Sequence, residues 1–364
     1  MKILVLCSDY PDNFGGISLN YVHTRNVYYI KRGYDVTVLN FSANKSYEKD
    51  YIKVISLREY KENADKQSYD LCVCHAANIK FHYLFLKKEN FRFKHIVFFY
   101  HGHEVMKLND YPVDYSYVKG NHLSRLFTPI YDWAKLKMWK SYITKNINKV
   151  ELVFVSEWMR DTFLKNIKLS ETVLRNKKLH IIYNCISSRF ETCTWDSKSN
   201  KKYDFVTIRG NIDTSKFAID FVNELAFHNP KSTFLVVGKG QYFEHYKKAP
   251  NIVRIEKYMN QDEIIEVLNS SKCALMPTRL DAQGVMTCEM ATFGIPVITS
   301  DIPVCRYVLS DYSNVRYIEN EKPDVDLMEI LSRIPQINTK NNRFFVSETV
   351  QKELDLYENL CLES

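Results

Sequence analysis

Two carboxylates and a glycine in the second half of the chain have types and spacing suited to binding a phosphorylated sugar. Asp281 lies in a polar loop after an apolar run, Gly284 precedes a helical pattern, and Glu289 lies within that pattern. The N-terminus of a helix presents free N–H groups and the positive end of its dipole, so Val285 and Met286 would donate hydrogen bonds to a diphosphate. Gly284 would let phosphate approach the backbone, Glu289 would accept hydrogen bonds from ribose hydroxyls, and Asp281 would hold sugar hydroxyls.

The same segment resembles a known sequence motif. Asp281, Gly284 and Glu289 are followed in register by Gly294 and Pro296, and this order is similar to the E-x7-E motif of retaining family-4 glycosyltransferases. Those enzymes have the GT-B fold, in which two Rossmann-like domains face each other. Here Asp replaces the first Glu of the motif, so that side chain is one methylene shorter. The structural alternative is a helix with a solvated Glu289, capped by Asp281 from the preceding loop.

A strand–helix loop in the same half carries two cations. In the family that the chain resembles, an Arg and a Lys in such a loop neutralise the donor's pyrophosphate without a metal ion, and Arg209 and Lys216 match them here. The order Arg-Gly and the longer gap depart from the family's pattern, so Lys216 is the better match. Gly238, in a G-x-G turn, resembles a family turn and is predicted to bind the donor. The alternative for Arg209 and Lys216 is that both are solvated loop cations, and the alternative for the G-x-G turn is a turn without a ligand.

The N-terminal half contains a second set of candidate residues. Gly15 and Gly16 resemble the family's double glycine, which lies close to the donor phosphates and the acceptor. His101 follows an apolar strand and matches a histidine that contacts the donor sugar in the family, while Glu104 would contact or deprotonate the acceptor hydroxyl. A metal site of His101, His103 and Glu104 is the alternative, but three such close ligands on one loop rarely complete a coordination geometry. We therefore expect no metal site.

These residues would be positioned by an alternation of apolar runs and helical patterns, which is typical of parallel α/β folds. The predicted strands are 2–7, 36–39, 54–57, 71–74, 96–100, 152–155, 205–208, 233–237, 253–256, 274–277 and 297–300. The predicted helices include 17–31, 216–226, 285–293 and 346–362. We expect a first Rossmann-like domain over 1–186, a polar linker at 187–202 and a second domain over 203–344. The resemblance implies that the last helix, about 345–364, crosses back to the first domain.

Composition limits the class of protein. With 364 residues, 45% apolar and 26% charged, the chain has the composition of an ordinary soluble protein of two domains. No run approaches the roughly 20 apolar residues of a membrane span. Nine scattered cysteines favour reduced thiols in the cytosol over a zinc site. The net charge of +7 favours anionic partners, among which nucleotides, nucleic acids and lipid surfaces remain open.

Two stretches, 80–95 and 117–149, mix aromatic side chains with Lys and Arg. They are interpreted either as solvated helix faces or as a surface attracted to an anionic membrane. Base stacking on RNA is disfavoured because the sequence has no pattern of an RNA-binding module. We expect no nucleic-acid partner.

The resemblance implies a retaining enzyme that moves a hexose-type sugar from a nucleoside-diphosphate sugar to a saccharide acceptor, expected to be lipid-linked. The expected setting is bacterial surface polysaccharide synthesis, such as capsule or lipopolysaccharide, in the cytoplasm or peripherally on the inner face of the membrane. No cofactor and no metal are expected. The alternatives are a nucleotide-sugar epimerase of the same fold, which would need no acceptor, and a silent sugar-nucleotide-binding subunit, which would show no turnover.

Overall fold

The computed structural model describes residues 1–13, 19–63, 68–118, 122–175, 177–337 and 339–362, with side chains except at 122–127. The chain divides into two compact units, each with its own α/β core. The first unit comprises Met1–Leu108, Phe127–Cys185 and Val346–Ser364, and the second comprises Asn109–Leu126 and Ile186–Phe345. The predicted α/β class is therefore confirmed.

The elements are numbered here in chain order. The strands are β1 (Lys2–Cys7), β2 (Asp35–Asn40), β3 (Tyr47–Lys49), β4 (Ile52–Ser56), β5 (Leu71–His75), β6 (His95–Tyr100), β7 (Val150–Phe154), β8 (Leu179–Ile181), β9 (Tyr203–Asn211), β10 (Phe234–Lys239), β11 (Ile252–Ile255), β12 (Ser271–Met276), β13 (Val297–Ser300) and β14 (Val315–Ile318). The helices are α1 (Asn20–Lys31), α2 (Leu57–Asn63), α3 (Leu84–Glu89), α4 (His122–Lys145), α5 (Glu157–Ile167), α6 (Glu171–Leu174), α7 (Ser188–Thr192), α8 (Ile219–His228), α9 (Tyr242–His245), α10 (Gln261–Asn269), α11 (Val285–Phe293), α12 (Pro303–Leu309), α13 (Leu327–Ser332) and α14 (Val350–Leu362).

Each predicted strand overlaps an observed one. The sequence patterns missed β3, β8 and β14, which have only three or four residues. The predicted helix at 216–226 begins later, as α8, because Ser215–Phe217 forms a 3-10 turn and Ala218 has a left-handed φ of 52°. Lys216 therefore lies in a tight turn before the helix.

The sheet of the second unit has the strand order of a Rossmann fold. Its order is β11-β10-β9-β12-β13-β14, and the neighbouring strands are parallel. The order reverses between β9 and β12, and in open parallel sheets ligands bind beyond the carboxyl ends of the strands at such a reversal. Arg209 lies near the end of β9, and the loop with Asp281 follows β12.

The sheet of the first unit has a similar arrangement, in the order β3-β4-β2-β1-β5-β6-β7-β8. Among the described strands, only the pair of β3 with β4 is antiparallel. The reversal lies between β1 and β5, and His75 and His101 occupy the carboxyl ends of β5 and β6.

The last helix, α14, packs against α1 in the first unit, which confirms the expected return of the C-terminus. Arg25 of α1 and Glu353 of α14 form an ion pair with Nε and Oε1 2.8 Å apart, and both side chains are fully buried. The hydroxyls of Tyr29 and Tyr357 lie 3.2 Å apart beside this pair. A polar group of four side chains thus joins the two helices.

One segment groups differently from the predicted domains. The sequence places residues 109–126 in the first domain, whereas they belong to the second unit. The Tyr115 hydroxyl donates to Asp220 at 2.9 Å, and the Tyr117 hydroxyl donates to Asp213 at 2.7 Å. These long-range contacts have no local sequence signal.

Residues 187–202, predicted as a linker, also belong to the second unit. They include the short helix α7, and the N–H of Trp195 donates to the carbonyl of Phe293 at 2.8 Å. The polar composition that suggested a linker is here that of an ordered surface segment.

Two chain-wide features complete the description. No helix in the described ranges is long and apolar enough to cross a membrane. All nine cysteines fall within the described residues, and none of them is paired in a disulfide.

Candidate functional site

The N-terminus of α11 is shaped by a glycine. Gly284 precedes the helix with φ +76° and ψ 57°, a left-handed conformation that side chains disfavour. Val285 and Met286 form the first turn, where backbone N–H groups have no partner within the helix. The first turn contains no acidic residue. This end of the helix is therefore suited to an anionic ligand.

Asp281 shapes the loop in front of α11. Its Oδ1 accepts hydrogen bonds from the N–H groups of Ala282 at 2.8 Å and Gln283 at 3.3 Å. A Cβ at Gly284 would lie 3.5 Å from Oδ2, which is ordinary contact, so the glycine is required by its φ and not by crowding. Asp281 is partly exposed, and its sugar contact remains a prediction.

The two predicted cations meet at one aromatic ring. The guanidinium carbon of Arg209 lies 4.7 Å from the ring centre of Phe217, and Nζ of Lys216 lies 4.6 Å from the same centre. Arg209 is only 7% exposed, and its Nη2 donates to the carbonyl of Pro277 at 2.7 Å. Burial lowers the pKa of Arg209 to about 10, against an opposing effect of Asp281, so it stays charged at neutral pH.

Glu289 is buried in α11. It is 8% exposed, and its Oε1 accepts a hydrogen bond from the N–H of Ser187 at 3.1 Å. Burial raises the pKa of Glu289 to about 7, although hydrogen bonds from Ser187 oppose the shift. The proposed ribose contact would favour the ionised carboxylate, because ribose hydroxyls would donate to it.

This pKa predicts a pH-dependent cost in stability. The pKa of Glu289 in the folded protein lies above the ordinary value of 4.5, so protonation of this carboxyl favours the folded state. This contribution to the free energy of unfolding is fully present below pH 4.5 and is lost as pH rises through about 7. Glu289→Gln keeps the acceptor for Ser187 and removes the ionisation. We expect the variant to gain about 3 kcal/mol relative to wild type between pH 5 and pH 9, measured by denaturant unfolding. A difference that is constant with pH would contradict this.

The structure gives Gly238 a packing role, and its predicted donor contact stays a prediction. A Cβ there would lie 2.2 Å from the carbonyl oxygen of Arg209, so only glycine allows β10 to approach the end of β9. Gly240 is similar, because its Cβ would lie 2.7 Å from Ile212 and 2.8 Å from Asp213. The G-x-G turn therefore supports the loop that carries the cations.

His101, predicted to contact the donor sugar, is held by a second histidine. Its Nε2 lies 3.1 Å from Nδ1 of His75, and its ring centre is 4.7 Å from that of Tyr21. Burial, with Arg25 and His103, keeps the pKa of His101 well below its ordinary value, so the ring is neutral at pH 7. The sequence analysis missed His75, although a histidine at the end of an apolar strand was a usable signal.

Glu104 contacts the backbone of its own loop in this structure, and its acceptor role stays a prediction. Glu104 is 2% exposed, and its two oxygens accept from the N–H of His101 at 2.9 Å and of Gly102 at 2.7 Å. The carboxylate therefore fixes the loop after β6. Gly15 and Gly16 lie outside the described residues. In the described part of the chain, no group of three His, Cys, Asp or Glu side chains could hold a metal ion.

Comparisons with known proteins bear on the fold and on the family that the chain resembles. Residues 193–343 match the family "Glycosyl transferases group 1". The O-antigen biosynthesis glycosyltransferase WclY of Escherichia coli is 24% identical over 66% of this chain and 73% of its own length. Sucrose-phosphate synthase from Thermosynechococcus elongatus has a similar structure, with a TM-score of 0.73 and 13% identity over 100% of both chains.

A second similar structure is HepE of Anabaena in complex with UDP and glucose, with a TM-score of 0.67 and 13% identity over 99% of this chain and 100% of that one. Within the second unit, residues 193–343 are thus similar to group 1 glycosyl transferases, and the two-sheet architecture is of the GT-B type. Both observations confirm the resemblance found in the sequence.

Proposed function

We propose that this GT-B glycosyltransferase is a retaining, metal-independent hexosyltransferase that uses a nucleoside-diphosphate sugar and a saccharide acceptor. The observation that carries the proposal is that Arg209, near the end of β9, and Lys216, in the turn after it, contact the same ring of Phe217. The Asp281 loop and the N-terminus of α11 follow β12 in the same sheet. Two cations and a helix N-terminus suit a diphosphate, which carries most of the donor's charge.

In this proposal the protein positions the donor and stabilises the leaving group. The diphosphate lies against Gly284, Val285 and Met286, with Arg209 and Lys216 neutralising the charge that develops as the bond to the anomeric carbon breaks. The acceptor oxygen forms the new bond on the same face. Its proton passes to the departing phosphate oxygen, so no protein nucleophile is required.

The relatives support a polysaccharide setting. WclY is named for O-antigen biosynthesis, and HepE was crystallised with UDP and glucose. We therefore propose a lipid-linked saccharide acceptor in surface polysaccharide synthesis, with UDP-glucose as the first donor to test. Free thiols at all nine cysteines of the described chain support a cytoplasmic location.

Ligand-induced stabilisation tests the donor site. One of UDP, GDP, ADP or CMP is expected to raise the melting temperature by about 5–10 °C at a ligand concentration of about 100 times its Kd. The shift should be the same when EDTA is present. With the matching sugar donor and acceptor, NMR should show that the anomeric configuration is retained. Inversion would contradict the retaining mechanism, and an EDTA-sensitive shift would contradict metal independence.

Other outcomes would contradict transfer itself. Conversion of the donor sugar without an acceptor would indicate an epimerase. Donor binding without turnover on any lipid-linked or free saccharide would indicate a silent binding subunit.

The exposed face of α4 supports a peripheral membrane site. Ile130, Tyr131 and Trp133 are 65%, 47% and 62% exposed. Nζ of Lys137 lies 4.6 Å from the ring centre of Trp133. Over residues 128–145 the one acidic residue, Asp132, is buried. The exposed face thus combines apolar side chains with positive charge, which is complementary to anionic lipid.

Vesicle sedimentation tests this surface. We expect binding to vesicles of phosphatidylcholine with phosphatidylglycerol and little binding to phosphatidylcholine alone. The double variant Trp133→Ser, Lys137→Ser should bind at least about fivefold more weakly, since each cation near such a surface contributes about 1 kcal/mol. Lys231→Ser, an exposed lysine of the second unit, is the matched control and should bind normally. Equal binding to both vesicle types would reject the anionic-lipid proposal.

A further inference from the structure

Arg279 lies between the chain segments that carry Lys216 and Asp281, and the roles proposed above do not use it. It follows the end of β12 by three residues. Its side chain is 19% exposed, so most of a permanent charge is withdrawn from water. Such burial is unfavourable unless the charge is paired and hydrogen-bonded, which directs attention to its partners.

The guanidinium is fully engaged by protein atoms. Its Nη1 and Nη2 each donate to one oxygen of Asp220 at 2.8 Å, a bidentate arrangement. Nη1 also donates to the carbonyl of Ser215 at 2.8 Å. Nε donates to Oε1 of Glu321 at 2.6 Å, and Nη2 lies 2.5 Å from the same oxygen. These contacts account for the five N–H donors of an arginine, so none is left for a substrate.

The backbone beside Arg279 binds the turn that carries Lys216. The carbonyl of Lys216 accepts from the N–H of Arg279 at 2.8 Å and from Oγ1 of Thr278 at 2.9 Å. With the contact to Ser215, three hydrogen bonds join residues 215–216 to residues 278–279. Asp281 is two residues farther along. The separation of Lys216 from Asp281 therefore depends on this link.

Asp220 is itself held from a distant segment. It lies in the first turn of α8, and its Oδ1 accepts from the Tyr115 hydroxyl at 2.9 Å, while its own N–H donates to that hydroxyl at 3.3 Å. The ring of Tyr115 packs on Tyr242 with centres 4.9 Å apart. Asp220 thus presents both oxygens to Arg279 in one fixed orientation, which a planar bidentate pair requires.

We propose that Arg279 is a positioning residue of the transfer reaction, which holds Lys216 in place relative to Asp281 through Ser215 and Asp220. The inference rests on the proposed function, because it takes Lys216 to face the donor diphosphate. A displacement of about 1 Å in a positioned group can cost about 10²-fold in rate. Arg279 acts through the protein and does not touch the donor.

Arg279→Lys tests the role, since it keeps the charge and loses the planar fork. We expect kcat to fall by about 10–100-fold while KM for the donor changes less than about threefold. In a Lys216→Ala background the same substitution should cost less than about threefold, because the group that it positions is absent. Arg333→Lys, at an exposed ion pair with Glu329, is the matched control and should retain wild-type kcat.

Tyr115→Phe provides a second variant that is independent of the arginine. It removes the hydroxyl that orients Asp220, and we expect a smaller loss of kcat with the same non-additivity toward Lys216→Ala. A wild-type kcat in either folded variant would overturn the inference. So would a loss of kcat in the Lys216→Ala background that is as large as the loss that the same substitution causes in the wild-type background. Wild-type protein without transfer activity would instead contradict the proposed function, and the two failures are thereby distinguishable.

Discussion

Lys216→Ala is expected to reduce kcat by about 10²–10³-fold, because removal of one preorganised group that stabilises transition-state charge has an effect of this size. Nζ of Lys216 lies 4.6 Å from the ring centre of Phe217, and Arg209 contacts the same ring. Truncation leaves the turn intact, since the contacts of that turn use the backbone carbonyls of Ser215 and Lys216. The loss should therefore be one of charge stabilisation and not of folding.

Turnover with the donor identified by thermal shift provides the measurement. Lys231→Ala removes an exposed lysine from the same unit and is expected to keep wild-type kcat. The melting temperature of Lys216→Ala should match wild type without ligand and show a reduced shift with the nucleoside diphosphate. A variant with unchanged kcat would remove Lys216 from the proposed donor site.

Glu353→Gln is expected to destabilise the first unit by about 3–5 kcal/mol, which is the effect of leaving a buried charge without its partner. The side chains of Arg25 and Glu353 are both fully buried, and Nε lies 2.8 Å from Oε1. Tyr29 also donates to Glu353. In the wild type, burial acts to lower the pKa of Arg25, but Glu353 outweighs it and holds that pKa above its ordinary value. The variant loses this support, yet the intrinsic pKa of a guanidinium is so high that the cation persists.

Chemical denaturation followed by circular dichroism measures this cost. The double variant Arg25→Met, Glu353→Leu removes both charges and should recover most of the stability, because a buried ion pair replaced by apolar groups of similar volume is often neutral. A loss below about 1 kcal/mol in Glu353→Gln would show that water reaches the Arg25 guanidinium and that α14 is not held by this pair.

The α/β alternation and the register of the α11 segment could be predicted from the sequence because both depend on local pattern. Strand and helix periods appear within a few residues, and Gly284 is informative because the chain has only ten glycines. The spacing of Asp281, Gly284 and Glu289 sets which of them precede the helix and which lies within it. The observed start of α11 at Val285 follows from that local order.

Partners separated by long stretches of chain could not be predicted in this way. Arg25 and Glu353 are 328 positions apart, and Tyr115 and Asp220 are 105 apart. The sequence shows that these side chains exist, but it is compatible with many different pairings among the polar and charged residues of the chain. The pairing is decided when the sheets form and bring particular helices together, so His75 beside His101 and Arg279 beside Asp220 were visible only in the structure.

The sequence by itself determined the α/β alternation, the fold class and the position of the segment with Asp281, Gly284 and Glu289, for which donor binding is proposed. Tertiary structure alone decided the roles of individual polar residues. Glu104 has the right side chain for an acceptor contact but is buried against two backbone N–H groups, and Gly238 makes room for the Arg209 carbonyl. The physical reason is that a residue's type sets what it can bond to, whereas its burial and its neighbours depend on the packing of distant segments.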